Sequence, residues 1–287
     1  MARKGGTPMN NKTIAIVGLG LIGGSMALAL RRNSRHTLLG LDADDQVLAA
    51  ARRQEAVQET GGPELLGRAD IVILALPPEG ALRYLEDHAR EMRPGALVTD
   101  VCGVKRAIVG PAAALCQKAG LVFLGGHPMA GKEKSGFDNA DPALFTGACY
   151  ILTPTADTPD SAVEDMKALA AQLGCTRMTV TTPENHDRII AFTSQLPHVL
   201  AGAYVKSRCC PFHAGFSAGS YRDVSRVATV DERLWSQLFL MNADALCAEI
   251  DGLITNLQAC RDAVAAGDRP ALEAILREGR RRKEEAG

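Results

Sequence analysis

A glycine triplet, two histidines and an arginine are the residues of this sequence whose types and spacing could do chemistry. Gly18-Leu19-Gly20-Leu21-Ile22-Gly23 has the spacing of a pyrophosphate-cradling turn. The first glycine permits a tight bend, the second lets backbone N–H groups approach the anion, and the third lets a helix pack closely on a strand. Anion binding then falls to the helix N-terminus, with Leu21 and Ile22 in its first turn, and needs no basic side chain. Asp42 stands 24 residues after Gly18, at the end of a second apolar run, where a carboxylate accepts hydrogen bonds from adenosine ribose hydroxyls. Ala43, Asp44 and Asp45 follow, without an arginine for a 2′-phosphate, so NAD is favoured over NADP. Asp42 or Asp44 could equally be a plain helix cap.

Three polar clusters in the rest of the chain could face the nicotinamide. His127 lies in the glycine-rich stretch Gly125 to Phe137, His198 closes Phe192-Thr193-Ser194-Gln195-Leu196-Pro197-His198, and Arg226 closes Gly219-Ser220-Tyr221-Arg222-Asp223-Val224-Ser225-Arg226, nine residues before Trp235. Each has a plain alternative. A loop histidine is commonly solvated or capping, and Arg226 could pair with Asp223 or Asp231 along a helix.

The surrounding pattern says which elements must position these groups. Ile14 to Val17, Thr37 to Leu41, Ile71 to Leu76, Ala96 to Asp100 and Leu121 to Leu124 read as buried strands of a parallel sheet. Helices are expected over 24–32, 46–59, 79–90 and from the 101–106 stretch onward, and Ala148 to Leu152, a helix over 159–173 and Thr176 to Val180 complete the alternation. This is a Rossmann-type, doubly wound α/β domain, which binds ligands at the carboxyl ends of its strands. Beyond Pro183 the β-branched runs stop, and 183–207, 231–258 and 259–280 read as helices, with turn signals at Cys209-Cys210-Pro211 and Ala266-Gly267-Asp268. The expected organisation is a nucleotide-binding domain over 1–182 and an all-helical domain over 183–287, whose amphipathic helices would pair two copies into a homodimer.

Composition narrows the function classes. The chain has 287 residues, 46% apolar and 23% charged, which excludes disorder, collagen-like and coiled-coil architectures. A formal charge of -1 gives no general attraction for nucleic acid or an anionic membrane, so an anionic partner must be small and locally bound. Eight cysteines form no CxxC pair and no zinc-type spacing, as expected of reduced thiols in a cytoplasmic protein without a metal site. Residues 14–30 carry no charge and follow Arg3, Lys4 and Lys12, a superficial likeness to a secretory leader that the glycines at 18, 20, 23 and 24 argue against.

Taken together, GLGLIGGS, TDVCGVK, GGHPMAGKEKSG, SQLPH and GSYRDVSRVA followed by LW resemble, in order and spacing, the prephenate and arogenate dehydrogenases of tyrosine biosynthesis, over residues 13–254. The resemblance implies hydride transfer from the cyclohexadienyl 4-hydroxyl carbon to NAD(P)+ with release of carbon dioxide. It assigns His127 as the catalytic base, His198 and Arg226 to the substrate, Arg226 holding a carboxylate, and puts Gly219, Ser135 and Trp235 near the same pocket, Trp235 as an aromatic wall, although at the start of a long helix that indole could equally belong to a core. A neutral imidazole with an ordinary pKa near ~6.5 suits the base, and an arginine that cannot lose its proton suits a dicarboxylate.

Two departures stand out. Some members carry a serine, placed to bond the catalytic histidine or the substrate hydroxyl, where this chain has Gly103; water or Ser135 could substitute. Some carry histidine where this chain has Gln195. About thirty residues follow the last motif, so neither the regulatory domain that some relatives append nor a mutase segment ahead of the first motif is expected in this sequence. A β-hydroxyacid dehydrogenase and a non-catalytic NAD sensor are the competing readings, but neither explains the HPMAG loop or needs His127, His198 and Arg226 together.

Overall fold

The computed structural model describes residues 11–132 and 134–287. Arg3 and Lys4 of the leader-like stretch, the first ten residues of the expected first domain and Glu133 of the glycine-rich loop lie outside the described residues. The described chain begins with β1 (Thr13–Val17), α1 (Leu21–Asn33), β2 (Thr37–Leu41), α2 (Asp45–Arg53), β3 (Glu59–Thr60), β4 (Ile71–Leu74) and α3 (Pro78–His88). It continues through β5 (Leu97–Asp100), α4 (Arg106–Lys118), β6 (Val122–Pro128), β7 (Cys149–Thr153), α5 (Asp160–Leu173) and β8 (Arg177–Val180). These strands form one sheet of order β3-β2-β1-β4-β5-β6-β7-β8. Strand order reverses beside β1, and the register levels Val17 with both Leu41 and Leu74, so Gly18, Asp42 and Ala75 emerge together at one edge. That edge is the topological switch point.

Period-two alternation explains why these runs are buried on both faces. Ile14, Ile16, Leu38, Ile71 and Ile73 enter one core with Met26 and Leu30 of α1, whereas Ala15, Val17, Leu39, Val72 and Leu74 enter the opposite core with Ala81 and Leu85 of α3. Residues 14–30, the leader-like stretch, are therefore a central strand, a turn and a core helix. Among the described residues, no helix is long and apolar enough to cross a membrane.

Several expected boundaries are corrected. The helix expected over 46–59 ends at Arg53, because Glu55 turns at φ +52 and Gln58 pairs with Leu38 through both its backbone and its side chain, leading into the short edge strand β3. Residues 101–105 are loop, and the helix they were expected to open starts at Arg106. His127 is on a strand, not in the loop: Gly125 to Pro128 extend β6 by antiparallel pairing with Tyr150 to Thr153 of β7. Among the described residues between them, the one helical segment is a 3-10 turn at Phe137–Asn139, and a parallel return would have needed a long crossover.

The remaining chain is helical: α6 (Pro183–Ile190), α7 (Leu196–Tyr204), α8 (Gly219–Ser225), α9 (Glu232–Met241), α10 (Ala243–Ala266) and α11 (Arg269–Ala286). The helix expected over 183–207 runs from its Thr182 cap to Tyr204 but contains a π-helical turn at Ala191–Gln195. Pro197 explains the turn, since it lacks the N–H and its ring crowds the preceding turn of helix. The expected division near 258/259 is also wrong. Breaks fall instead at Asn242 and, where the Ala266-Gly267-Asp268 turn signal is expected, at Gly267, which adopts the left-handed φ of +65 that closes α10.

Candidate active site

The glycine turn is built as a cradle. Gly18 sits at φ +86, and a Cβ there would lie 2.5 Å from the Ala75 carbonyl oxygen; a Cβ on Gly23 would lie 1.9 Å from the Gly18 oxygen. Both must be glycine for the chain to pack. Gly20 differs, because a Cβ there would meet nothing within 4 Å, and the space belongs to whatever approaches the turn. Gly20 is the N-cap of α1, without a side-chain cap and with no acidic residue in the first turn, so the N–H groups of the half-buried Leu21 and Ile22 region are left for an anion. Asp42 ties the turn down: its carboxylate accepts from Leu19 N (2.7 Å) and Asp44 N (3.0 Å). The cap of α2 is Asp44, not Asp42. A pocket of about 300 Å³ opens beside them, lined by Gly18, Asp42, Ala43, Gly61, Leu76 and Tyr84. The Tyr84 hydroxyl is buried without a hydrogen-bond partner among the described residues. An uncapped helix terminus, an open glycine, a carboxylate and an orphaned hydroxyl in one cleft fit a dinucleotide.

His127 lies at the carboxyl end of β6, on the same side of the sheet as this cleft, and is half-buried. Its Nδ1 is 2.9 Å from Nε2 of His186 on α6, and Nδ1 of His186 is 2.7 Å from Oδ1 of Asp187. Asp187 in turn accepts from the backbone N–H groups of Lys105 (2.7 Å) and Arg106 (2.9 Å), at the N-terminus of α4. The neighbouring strand end is locked by a fully buried ion pair between Lys105 and Asp100, whose carboxylate also accepts from Gly126 N at 3.2 Å. Burial, with the nearby His186 and Lys105, holds the His127 pKa well below that of an ordinary histidine, so the ring is neutral at pH 7. Burial likewise lowers His186, against the opposing pull of Asp187.

The helical part closes over this ring. Asn242 donates to the Asp187 carbonyl (2.9 Å) and to Gln195 Oε1 (2.8 Å), and Gln195 donates to the Leu238 carbonyl at 3.1 Å. Arg106 bonds both Asn242 and Asp244. Leu238 of α9 faces Gly103, where a Cβ would stand 3.7 Å from Leu238 and 3.9 Å from His127 Cε1. Trp235, one helical turn earlier on α9, stacks on His198 with ring centroids 3.7 Å apart. His198 donates from Nδ1 to the Ser194 carbonyl (2.8 Å), which leaves Nε2 as an acceptor. Burial and the neighbouring Arg226 charge lower the His198 pKa. The helices thus bring His198, Arg226 and Trp235 together, and α9 spans from them to His127.

Gly219 is the first residue of α8, half-buried and open on its Cα. Ser135 is exposed on the loop after β6, its carbonyl accepting from Asn139 at 2.7 Å. The hydrogen bond at the His127 ring is shared with His186 rather than with Ser135. Trp235 covers His198 and is half-buried rather than part of either core.

Comparison with known proteins agrees with this architecture. The family model for the prephenate dehydrogenase nucleotide-binding domain matches residues 26–179, and that for the prephenate dehydrogenase dimerization domain matches residues 182–278. The chain belongs to the prephenate dehydrogenase family. It is 34% identical over 265 residues to the prephenate dehydrogenase of Bacillus subtilis (strain 168), covering 89% of this chain and 71% of that protein. Among solved structures, Synechocystis arogenate dehydrogenase superposes with a TM-score of 0.81 at 30% identity, covering 96% of this chain and 100% of that one. The prephenate dehydrogenase of A. aeolicus, in complex with hydroxyphenyl propionate and NAD+, superposes with a TM-score of 0.82 at 26% identity, covering 98% and 100%. Set against other prephenate dehydrogenases, the resemblance seen in the motifs holds along nearly the whole chain.

Sequence reasoning missed His186, Asp187, Asn242 and the roles of Lys105 and Arg106. One signal was present. On the helix after Pro183, His186 and Asp187 occupy the same buried stripe as Ile190 and Ala191, and polar residues on an apolar stripe require partners.

Proposed function

We propose that this chain oxidises prephenate with NAD+, giving 4-hydroxyphenylpyruvate, carbon dioxide and NADH. The observation that carries the proposal is a half-exposed, neutral imidazole at the strand edge beside the dinucleotide cleft, held through Nδ1 so that Nε2 is available. NAD+ supplies the hydride acceptor. His127 accepts the 4-hydroxyl proton as hydride leaves C4 for NAD+, the C–CO2 bond breaks, its electron pair completes the aromatic ring as a phenolate, and the proton returns from His127 to that oxygen to give the 4-hydroxyl of the product. Because aromatisation drives the reaction, the protein's task is to orient the substrate and take one proton.

Arg226 is assigned to a substrate carboxylate, with His198 beside it presenting Nε2 as an acceptor and Trp235 holding the His198 ring in place. Gly219 and Ser135 are assigned to the same substrate, and Gly18, Gly20, Leu21, Ile22, Gly23 and Asp42 to the cofactor. Arogenate carries an amine where prephenate has a keto group, and the similarity to an arogenate dehydrogenase makes it the second substrate to test.

We further propose a division into domains at 182/183, where the Thr182 hydroxyl caps α6. Two copies pair through the helical part, supported by the match to a dimerization-domain model. A cytoplasmic location is supported by eight free cysteines. The test of the activity is product analysis after incubation with NAD+: 4-hydroxyphenylpyruvate from prephenate supports the assignment, tyrosine from arogenate alone would move it to the second substrate, and neither product would reject it. Arg226→Ala should raise KM about tenfold or more with a smaller effect on kcat.

A further inference from the structure

We propose that His186 and Asp187 are positioning residues that hold His127 in the tautomer with its proton on Nδ1, leaving Nε2 as the base. The proposal rests on the reading of His127 as proton acceptor. Hydrogen placement follows from the far end of the chain inward. Both Asp187 oxygens face N–H donors, the backbone of Lys105 on Oδ1 and of Arg106 on Oδ2, so the carboxylate acts only as acceptor. His186 Nδ1, 2.7 Å from the same Oδ1, must then be its protonated nitrogen. A neutral His186 has no proton left for Nε2, so at 2.9 Å this atom accepts from His127 Nδ1–H. A neutral His127 with its proton on Nδ1 has a bare Nε2.

The same chain serves after proton transfer. When His127 becomes an imidazolium, its charge is stabilised along Nδ1–H to His186 and from His186 to the Asp187 carboxylate, without any of these bonds breaking. This matters because the nearest fixed cation is buried Lys105. The device also accounts for Gly103. A serine there would stand beside the ring, but the ring is already oriented from its Nδ1 side by a residue of the helical part.

Two measurements test the relay. In the wild-type enzyme without ligands, with histidine labelled in 15N, the His127 signals, assigned by their loss in His127→Gln, should show a protonated Nδ1 and a bare Nε2; the reverse overturns the proposal. In kinetics, His186→Leu removes the acceptor and should lower kcat about 100-fold with KM for prephenate within about twofold, whereas His186→Gln, whose amide oxygen reaches the Nε2 position, should stay within about tenfold of wild type. A leucine variant that keeps wild-type kcat overturns the proposal, and if that variant does not fold the nitrogen spectrum decides. Wild-type turnover of prephenate is read separately: its absence rejects the function proposed above, while the spectrum still reports on the tautomer.

Discussion

The residue on which the chemistry turns is an imidazole whose surroundings disfavour its charged form. Burial, His186 and Lys105 all push the His127 pKa down, and a base is active only while deprotonated. The kcat/KM profile should therefore stay flat as pH falls through the ordinary histidine value of about 6.5, and its acid limb should appear below that. A limb at or above that value would contradict the environment described. The groups facing the ring are His186 and Lys105 and, through them, Asp187 and Asp100. His127 was legible in the sequence only as one of three candidates, since a loop histidine is commonly solvated or capping, and its role as base was read from the resemblance carried by the GGHPMAGKEKSG segment. Its partners were not. His186 is 59 residues away and Asp187 is 82 residues from Lys105, and a helical stripe shows that a polar pair needs partners without naming them.

Among the elements, the glycine turn separates packing from binding. Gly23→Ala places a methyl group against the Gly18 backbone, where nothing flexible can yield, and should cost about 3 kcal/mol or more. Thermal melting should show this as a drop of roughly 10 °C. Gly20→Ala meets no atom of the chain, so its Tm should stay within about 2 °C while the NAD+ Kd rises about tenfold, as titration calorimetry would show. Equal effects of the two substitutions would mean that the turn is not a cofactor cradle. Strands were read well from sequence because alternation and β-branching mark a sheet buried on both faces, as in Ile14 to Val17. Helix ends were read poorly where tertiary bonds override local preference: Asn242 breaks α9 from α10 by bonding Asp187 and Gln195. Likewise Gln58 pulls the chain after α2 onto β2. His127 was placed in a loop because the antiparallel β6–β7 pairing that extends its strand depends on residues some twenty positions later.

At the scale of the molecule, the helical part leaves Phe212, Phe216, Leu240, Leu257 and Leu276 exposed, and the proposed dimer would cover part of this surface. Sedimentation at micromolar concentration should give twice the chain mass, and Leu240→Glu with Leu257→Glu should shift it toward the monomer; a monomeric wild type would reject the dimer. Acid should weaken the fold early. His127, His186 and His198 have folded-state pKa values below the unfolded value of about 6.5, so as pH falls below that value the unfolded chain gains protons that the folded chain refuses. Their contribution to stability is fully present above about pH 6.5 and is lost progressively below it, so Tm should already fall between about pH 7 and pH 5, before carboxylates titrate. The central claim joins the cleft, the base and the substrate, and one measurement tests all three: the initial rate of NADH formation from prephenate and NAD+, recorded by ultraviolet absorbance for the wild type and His127→Asn side by side. The account predicts turnover by the wild type and a loss of about 100- to 10,000-fold in kcat for the variant with little change in KM. No turnover by the wild type, or near wild-type turnover by the variant, would contradict it.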